Sequence, residues 1–598
     1  MPGQSTAHSG YFVSTKPSDR FPLWTRANVG EVFPDPVKMS TFDFAFQNDD
    51  GIRMSELAFR DAYVAIGAFT HDEFDPDECV FLGVFGGYTY LNAAVGRIFG
   101  VRAPEIDVET VDRNFFGEQP GIPPYESHPD DENSEASQRI AETFLYLFTA
   151  PALPDVFDDE QQLAQMRASR ADFEQMGDHE IAEWIMEHLE RGFTGGTGFR
   201  ELFATHLRVS FLAAVPLGVL EQVCTAVGRP EDTLKLVAGY GDVASAAPSD
   251  AMWRLGRQVA ASSELTALFN DGPVGLSARL GAAADASGSD AAAFSEAFEQ
   301  FVYDFGSRGP NEWEISCPTW ETDPDIALAA IDRMRLAPPD ADPEQRRAGL
   351  TSQREALSSA MSQALAGNPE AQMQFELAQG AAAVYLPGRE RTKTNCVRFV
   401  NETRVASRVL GRRLIDRGAI SQMTDTSMLR FSELHELIDD PTGWSEVIAE
   451  RQAVYDDAVS RQEPFVIVGE APPMHEWPRR DEIELAALSA GDTLGGLPGC
   501  PGIARGRARI VLDSTDPTAL EPGDVLVAPL TDPSWTPLFV GASAVVVDVG
   551  AALSHSIIVS RELGLPCVVS ATGATGRIPD GALIEVNGDT GTITVLEV

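Results

Sequence analysis

The sequence predicts a multidomain protein, in which a large, mainly α-helical region is followed by a smaller C-terminal α/β domain. Three observations lead to this fold class. The chain has 598 residues, which is enough for roughly two to four domains. From about residue 53 to residue 460, apolar residues recur every three or four positions, the period of amphipathic helices. Beyond residue 496, short runs of β-branched residues alternate with glycine-rich turns, which is typical of strands.

Changes in composition place the predicted boundaries. Residues 1–20 are polar and irregular, and we expect them to form a flexible N-terminal tail. Residues 21–464 are predicted to form the mainly helical domain. Residues 465–495 are rich in proline, glycine and acidic side chains, which indicates a linker, and residues 496–598 form the C-terminal domain.

Charge and cysteine content exclude several classes of function. The formal charge of −45 argues against nucleic-acid binding and against binding to anionic membranes, because both require a basic surface. The N-terminus lacks the apolar segment of a signal peptide. The six cysteines show no C-x-x-C pair and no His/Cys spacing of a metal site. We therefore expect reduced, structural thiols, no metal ligands and a cytoplasmic protein.

One stretch of the C-terminal domain predicts a βαβ unit. Residues 545–549 form a β-branched run, and Ser554 is placed to cap the helix that follows. Gly564 and Pro566 end that helix, and residues 565–569 form a second apolar strand. A strand, a helix and a strand this close together indicate a parallel strand pair.

His555 occupies the first position of this predicted helix. Free backbone N–H groups and the positive end of the helix dipole lie there, so an anion is stabilised. A neutral imidazole is a nucleophile, and a phosphoryl group that it accepts would rest at this site. A capping or packing histidine is the alternative, and position alone does not decide between them.

The stretch resembles the mobile, phosphohistidine "swivelling" domain of enzymes that use or make phosphoenolpyruvate, a family that includes phosphoenolpyruvate synthase, pyruvate phosphate dikinase, rifampicin phosphotransferase and phenylphosphate synthase. Ala551 in place of a glycine and Ser556 before two isoleucines are mild departures. The resemblance implies that His555 carries the phosphoryl group and that Ser554 beside it contacts phosphate. The residues that match the family pattern are Gly550, Ser554, His555, Ile558, Val559, Arg561, Glu562, Leu563, Gly564 and Pro566.

A second motif surrounds Arg308. Glycine and proline residues on both sides predict an irregular turn, where an arginine is well suited to bind an anion. The alternative is a structural ion pair with Glu312 or Glu314. The segment is similar to the Tyr-Gly-x-Arg-Gly-x-x-Glu motif of rifampicin phosphotransferase-like proteins, which implies a substrate- or phosphate-binding role for Arg308.

A third motif contains Arg389, Glu390 and Lys393. Arg389 and Lys393 are four positions apart, so they share one face if the segment is helical, and together they would bind phosphate. The alternative is a surface cluster neutralised by Glu390 and Glu402. The segment resembles the Arg-Glu-x-x-Lys motif of rifampicin phosphotransferase, which approaches the phosphohistidine. This resemblance implies catalytic roles for Arg389 and Lys393 and a binding role for Glu390.

The resemblance extends to two further segments. The loop with Thr531, Trp535 and Thr536 matches the family's Thr-x-Pro-x-Trp-Thr-Pro-Leu loop, which implies that these residues bind phosphate or substrate beside the histidine. Residues 21–37 resemble the segment that opens the substrate domain of rifampicin phosphotransferase-like proteins. The resemblance covers residues 497–598 closely and residues 21–460 loosely.

Two parts of the family pattern are not recognisable in the sequence, the ATP-grasp domain and the phosphoenolpyruvate-binding barrel. We therefore expect that a separate ATP-grasp subunit, like the N-terminal part of phosphoenolpyruvate synthase, binds ATP and Mg²⁺ and phosphorylates His555. No cofactor is expected to bind this chain tightly. Phenylphosphate synthase is divided between subunits in this way, so the expected acceptor is a small hydroxylated, plausibly phenolic, molecule. The alternatives are a rifamycin-type acceptor and a non-catalytic regulatory or scaffold protein.

Overall fold

The computed structural model describes two compact units. The first contains Met1–Phe211, Trp313–Ser316 and Asn395–Glu484, and the second contains Leu212–Glu312, Cys317–Thr394 and Leu485–Val598. Most of the predicted N-terminal tail, residues 1–14 and 17, lies outside the described residues. The described ranges are 15–16, 18–48, 50–104, 106–116, 121–191, 198–241, 243–244, 246–285, 288–483, 485–513, 520–550 and 554–598.

Helices make up most of the described chain before residue 460, as the apolar period predicts. Their starts show ordinary capping: Asn133 Oδ1 accepts hydrogen bonds from the N–H groups of Glu135 and Ala136 at the start of α6. The helices are α1 Val29–Val32, α2 Met39–Thr41, α3 Met54–Ala65, α4 Ala93–Arg102, α5 Val108–Phe116, α6 Ser134–Thr149, α7 Pro154–Ala168, α8 Asp178–Arg191, α9 Phe199–Ala226, α10 Ala247–Ala261, α11 Ser263–Asn270, α12 Leu276–Ala284, α13 Asp290–Phe305, α14 Pro324–Leu336, α15 Pro343–Leu365, α16 Pro369–Asp416, α17 Glu433–Asp439, α18 Trp444–Val459, α19 Thr536–Gly541, α20 His555–Leu563 and α21 Ala574–Arg577.

The strands form two sheets. The predicted fold class is confirmed, because the larger sheet lies in the C-terminal region after the helices. The strands are β1 Leu23–Thr25, β2 Leu82–Phe85, β3 Tyr88–Asn92, β4 Val466–Val468, β5 Thr493–Gly495, β6 Leu497–Cys500, β7 Ile503–Ile510, β8 Val525–Ala528, β9 Ala544–Val547, β10 Cys567–Val569, β11 Leu583–Asn587 and β12 Thr592–Glu597.

The first unit contains a small antiparallel sheet with the order β2-β3-β1-β4. Buried aromatic residues cover it, and Trp24 and Phe85 pack edge to face with ring centroids 5.3 Å apart. Strand β4, at the start of the predicted linker, pairs with β1 in this sheet.

The C-terminal part of the second unit is built on an eight-stranded sheet with the order β5-β12-β11-β7-β8-β9-β10-β6. Strands β7 to β10 run parallel. The predicted βαβ unit is confirmed, since β9, α20 and β10 follow one another and Val545 pairs with Cys567. Helix α20 ends at Gly564, whose φ of 67° is left-handed, as the sequence predicts. Because the strands are parallel, the segments after β8 and β9 leave the same edge of the sheet.

Helices in the earlier part of the second unit pack against this sheet domain. Helix α14 contacts α19, and α15 contacts α20. One buried apolar cluster includes Leu328 and Met334 of α14 together with Leu538 and Phe539 of α19. The α20 helix is therefore held against a helical surface of the same unit.

Helix α16 differs from the sequence-based prediction in its bounds. Within the region predicted to be helical, residues 351–384 read as one continuous helical stretch in the sequence; the structure splits this stretch by a turn at residues 366–368, and α16 then runs through Pro387. The motif at residues 389–393 is therefore wholly helical. A proline inside a helix costs about 3 kcal/mol because it lacks the N–H donor and clashes with the preceding turn. Buried residues on both sides of Pro387 indicate that packing offsets this cost.

Helix α9 contains Pro216 within residues 209–223, an apolar stretch whose length in the sequence predicts no membrane span. By length and composition the whole helix could cross a membrane, and 39% of its most apolar 18-residue segment is buried. Core helices of soluble proteins pass the same test, so this single helix is weak evidence for a membrane span.

Candidate active site

His555 begins helix α20 at the edge of the parallel strands. Ser554 precedes it with extended backbone angles, as the predicted N-cap residue. The predicted capping hydrogen bond is absent, because the Ser554 hydroxyl lies 3.3 Å from the Ser556 hydroxyl instead. The prediction is therefore correct for the position of Ser554 and wrong for its capping bond.

The imidazole of His555 is buried, with 7% of the residue exposed. Its Nε2 lies 3.3 Å from Thr536 Oγ1, and the ring packs edge to face against Phe539. The pKa of His555 is lowered to about 3, mainly by burial and next by the positive charge of Lys393. The ring is therefore neutral at physiological pH and has the lone pair that a nucleophile requires.

Arg308 and Lys393 meet at one buried carboxylate. Arg308 Nη1 is 3.0 Å and Lys393 Nζ is 2.9 Å from Oε1 of Glu312, whose side chain is 1% exposed. Burial alone would raise the pKa of Glu312, but the two cations hold it below its ordinary value. Arg308 Nη2 also donates to Thr394 Oγ1 over 2.5 Å. The structural ion pair that the sequence left as an alternative for Arg308 is thus present, and it includes Lys393.

Arg389 and Glu390 form an ion pair one turn earlier on α16. The hydroxyl of Thr394 donates to the backbone oxygen of Glu390 over 2.7 Å, which ties this turn to the Arg308 contact. Glu390 is 2% exposed. The alternative of neutralisation by Glu390 therefore applies to Arg389, whereas Lys393 is paired with a different acid.

The charges that act on His555 identify its neighbours. Lys393 and Arg308 lower its pKa, whereas Glu390 and Glu312 raise it. The structure therefore brings four charged side chains near the imidazole. Arg389 is linked to this group through its ion pair with Glu390.

The loop after β8 contributes the other predicted residues. Thr531, Trp535 and Thr536 are all buried, and Thr536 is the one that contacts His555. Within the described part of the chain, Thr531 Oγ1 and His555 Nδ1 have no hydrogen-bond partner. Two buried polar atoms of this kind indicate a site that gains partners when a ligand binds.

Sequence reasoning missed two functional candidates in this loop and its surroundings. Glu312 lies inside the Arg308 motif, but spacing could not show that it binds two cations. Asp532 lies inside the Thr531 motif, and its Oδ2 accepts a hydrogen bond from the backbone N–H of Asn311 over 2.8 Å. The backbone of Asn311 has a φ of 48°, a left-handed conformation that residues other than glycine adopt rarely. This conformation marks the segment as unusual, and it is visible in the structure but not in the sequence.

Metal ligands are not clustered in the described ranges, which contain no group of three or more histidine, cysteine, aspartate or glutamate residues that could hold a metal ion. The chemistry available to the described residues is transfer of a group to the neutral imidazole, with arginine and lysine to balance the charge of a phosphoryl group.

Two family models match this chain. Residues 205–390 match the rifampicin phosphotransferase fourth domain, and residues 520–591 match the mobile domain of phosphoenolpyruvate-utilising enzymes. The first match contains Arg308 and Arg389 and ends at Glu390, and the second contains His555. The resemblance inferred from the motifs is confirmed in these two regions.

Comparison with individual proteins also shows similarity to rifampicin phosphotransferases. A rifampicin phosphotransferase of Streptomyces sviceus is 29% identical over 305 residues, which cover 50% of this chain and 34% of the relative. An uncharacterized protein of Mycobacterium tuberculosis is 34% identical over 292 residues, or 49% of this chain and 30% of that protein. A prodigiosin synthesizing transferase of Serratia marcescens is 30% identical over 309 residues, or 50% and 33%. The matched region spans about a third of the length of these relatives, and the shared residues support a phosphotransferase.

Proposed function

We propose that this chain is the histidine-carrying and acceptor-binding component of an ATP-dependent, dikinase-type phosphotransferase in the cytoplasm. The observation that carries the proposal is the neutral, buried His555 beside Lys393 and Arg308. A phosphoryl group on the imidazole brings negative charge into the cluster that contains the cations Lys393 and Arg308. The cluster thus favours a phosphorylated histidine electrostatically.

The first step of the proposed reaction loads His555. A ring nitrogen attacks a phosphorus atom of ATP, the N–P bond forms, and the P–O bond to the nucleotide breaks, so that the nucleotide leaves with the electron pair of that bond. A separate ATP-grasp subunit binds ATP and Mg²⁺ in this proposal, as in phenylphosphate synthase. His555 is 7% exposed against the helices of its own unit, so loading requires the C-terminal domain to leave this position.

The second step delivers the group. An acceptor hydroxyl attacks phosphorus, the P–N bond breaks, and the hydroxyl proton passes to the departing imidazole. Lys393 and Arg308 hold the moving group, and positioning and electrostatics account for most of the rate. The proposed acceptor is a phenol. The named relatives support a rifamycin as the second candidate acceptor, because they include rifampicin phosphotransferases.

Chemical loading tests the proposal without the unidentified partner. The full chain is incubated with phosphoramidate, which phosphorylates imidazoles, and the site is located by mass spectrometry at neutral pH. We expect acid-labile phosphate on His555 in the wild type and none at this position in His555→Ala. Phenol or a rifamycin is then added, and phosphorylated product is measured.

The Lys393→Met variant tests the second step, transfer of the phosphoryl group from His555 to the acceptor. We expect it to accept phosphate at His555 but to transfer it about 100-fold more slowly, because one charged stabiliser of the transition state is lost. Loading without transfer to either acceptor would favour the regulatory or scaffold alternative. Absence of phosphate from His555 in the wild type would refute the proposal.

A further inference from the structure

Asp532 connects the loop beside His555 to the loop that contains Arg308 and Glu312. Its Oδ1 accepts from Ser534, through the backbone N–H at 2.8 Å and the hydroxyl at 2.5 Å. Its Oδ2 accepts from the N–H of Asn311 at 2.8 Å. The first pair of contacts is local and shapes the turn before α19. The third contact leaves the C-terminal domain and reaches the helical part of the same unit.

Each of the two residues joined by this hydrogen bond lies close in sequence to a residue that contacts His555 or the cations. Thr536, four residues after Asp532, contacts His555 Nε2 at 3.3 Å. Asn311 precedes Glu312, which binds Arg308 and Lys393. A single carboxylate therefore spans from the segment that orients the histidine to the segment that orients the cations.

Other described contacts between these parts are of two kinds, apolar or long contacts near α15 and a polar contact at Glu562 of α20, where the backbone of Gly239 and Gly241 and the charge of Arg347 oppose the rise in pKa that burial causes. Leu350 of α15 lies against Gly564 at the end of α20, with the nearest approach of a Cβ built on that glycine at 3.5 Å. Arg346 donates to the backbone oxygen of Val540 at 3.4 Å, which is long for a hydrogen bond. Apolar contact is non-directional and allows sliding. A short hydrogen bond to an ionisable carboxylate is directional, so it fixes the register of docking.

We propose that Asp532 is a positioning residue that docks the histidine domain at the acceptor side of the transfer, through its hydrogen bond from the Asn311 N–H. This inference rests on the proposed function, in which the domain must leave and return. Asp532 does not touch the reacting atoms in this role. Asp532 determines the fraction of time that His555 spends beside Lys393 and Arg308. The hydrogen bond from the Asn311 N–H breaks each time the histidine domain leaves.

Carbethoxylation of His555 by diethyl pyrocarbonate measures docking directly, because the reagent modifies accessible neutral imidazoles. The rate is followed in the full chain by peptide mass spectrometry. In Asp532→Asn, the side-chain oxygen keeps the Ser534 contact while an NH₂ donor faces the Asn311 N–H. We expect modification of His555 to be about tenfold faster, the factor for loss of one hydrogen bond to a charged acceptor.

Three controls separate docking from folding. Asp524→Asn removes a carboxylate that binds Arg509 at 3.0 Å within the C-terminal domain, and we expect a rate within about twofold of wild type. Asn311→Gly keeps the N–H donor and suits a φ of 48°, so it should also stay within about twofold. His188, buried in the first unit, is the internal reference, since misfolding would expose it as well.

An unchanged rate in Asp532→Asn overturns the inference, as does an equal acceleration in Asp524→Asn. Equal acceleration at His188 would show general loosening and would also count against a docking role. The measurement needs no phosphoryl donor, so it gives an answer even if phosphoramidate fails to load His555. A failure of docking and a failure of the proposed function are therefore distinguishable.

Discussion

Acidification should destabilise the protein through His555, and the size of the effect follows from its burial. The pKa of this imidazole is about 3 in the folded chain and 6.5 in its ordinary state. Because the folded value is the lower one, the unfolded chain binds an extra proton between these limits, and stability falls as the pH drops. From pH 7.5 to 4.5, the loss attributable to His555 is about 2.7 kcal/mol.

Comparison with His555→Asn isolates this contribution, since the other titrating groups are the same in both proteins. We expect the free energy of unfolding in urea to fall by about 2.7 kcal/mol more in the wild type than in the variant over this pH range. Ile557→Val, a buried change on the same helix without a titrating group, should keep the wild-type pH dependence. NMR of ¹⁵N-labelled histidine should show a neutral His555 ring at pH 5. Equal pH dependence in wild type and His555→Asn, or a protonated ring at pH 5, would refute the reasoning.

Two further substitutions test the surroundings of the histidine. Glu312→Gln leaves the buried Arg308 and the partly buried Lys393 without their acid, so we expect a loss of about 3 kcal/mol in unfolding free energy, whereas the exposed Glu299→Gln should change it by less than about 0.5 kcal/mol. Gly309→Ala places a Cβ 2.5 Å from the backbone oxygen of Pro318, so urea unfolding should show a loss of about 1–3 kcal/mol. Gly380→Ala, in open space on α16, should be neutral or stabilising by up to about 1 kcal/mol. A similar cost for both members of either pair would contradict the contacts described.

The local pattern was sufficient to predict the βαβ unit around His555. A β-branched strand, a left-handed glycine at the helix end and a following proline act over a few residues, so their effect is visible in the sequence. The helical period likewise predicted the helices before residue 460. These features depend on neighbours along the chain and little on distant contacts.

Distant contacts explain what the sequence could not show. The sequence left open whether residues 389–393 are helical, and packing on both sides of Pro387 keeps α16 continuous through them. Ser554 occupies the N-cap position, yet its hydroxyl lies near Ser556. Glu312 and Lys393 are 81 positions apart in the numbering and 2.9 Å apart in space, and no periodicity carries that information. The predicted roles of the site residues, the boundaries of the domains and the partner subunit stay predictions.

The burial of His555 also bears on how long a phosphorylated form would survive. A phosphorus–nitrogen bond to imidazole is a high-energy bond that acid and water cleave, and cleavage by water discards the group before an acceptor arrives. With 7% of the residue exposed and protonation disfavoured, both routes of leakage are restricted while the domain is docked. The residues that bury His555 would thus give phosphohistidine a long half-life while the domain is docked and a shorter half-life while it is undocked. Time spent undocked, and with it the stability of the docked position, would then set the fraction of turnovers lost to hydrolysis.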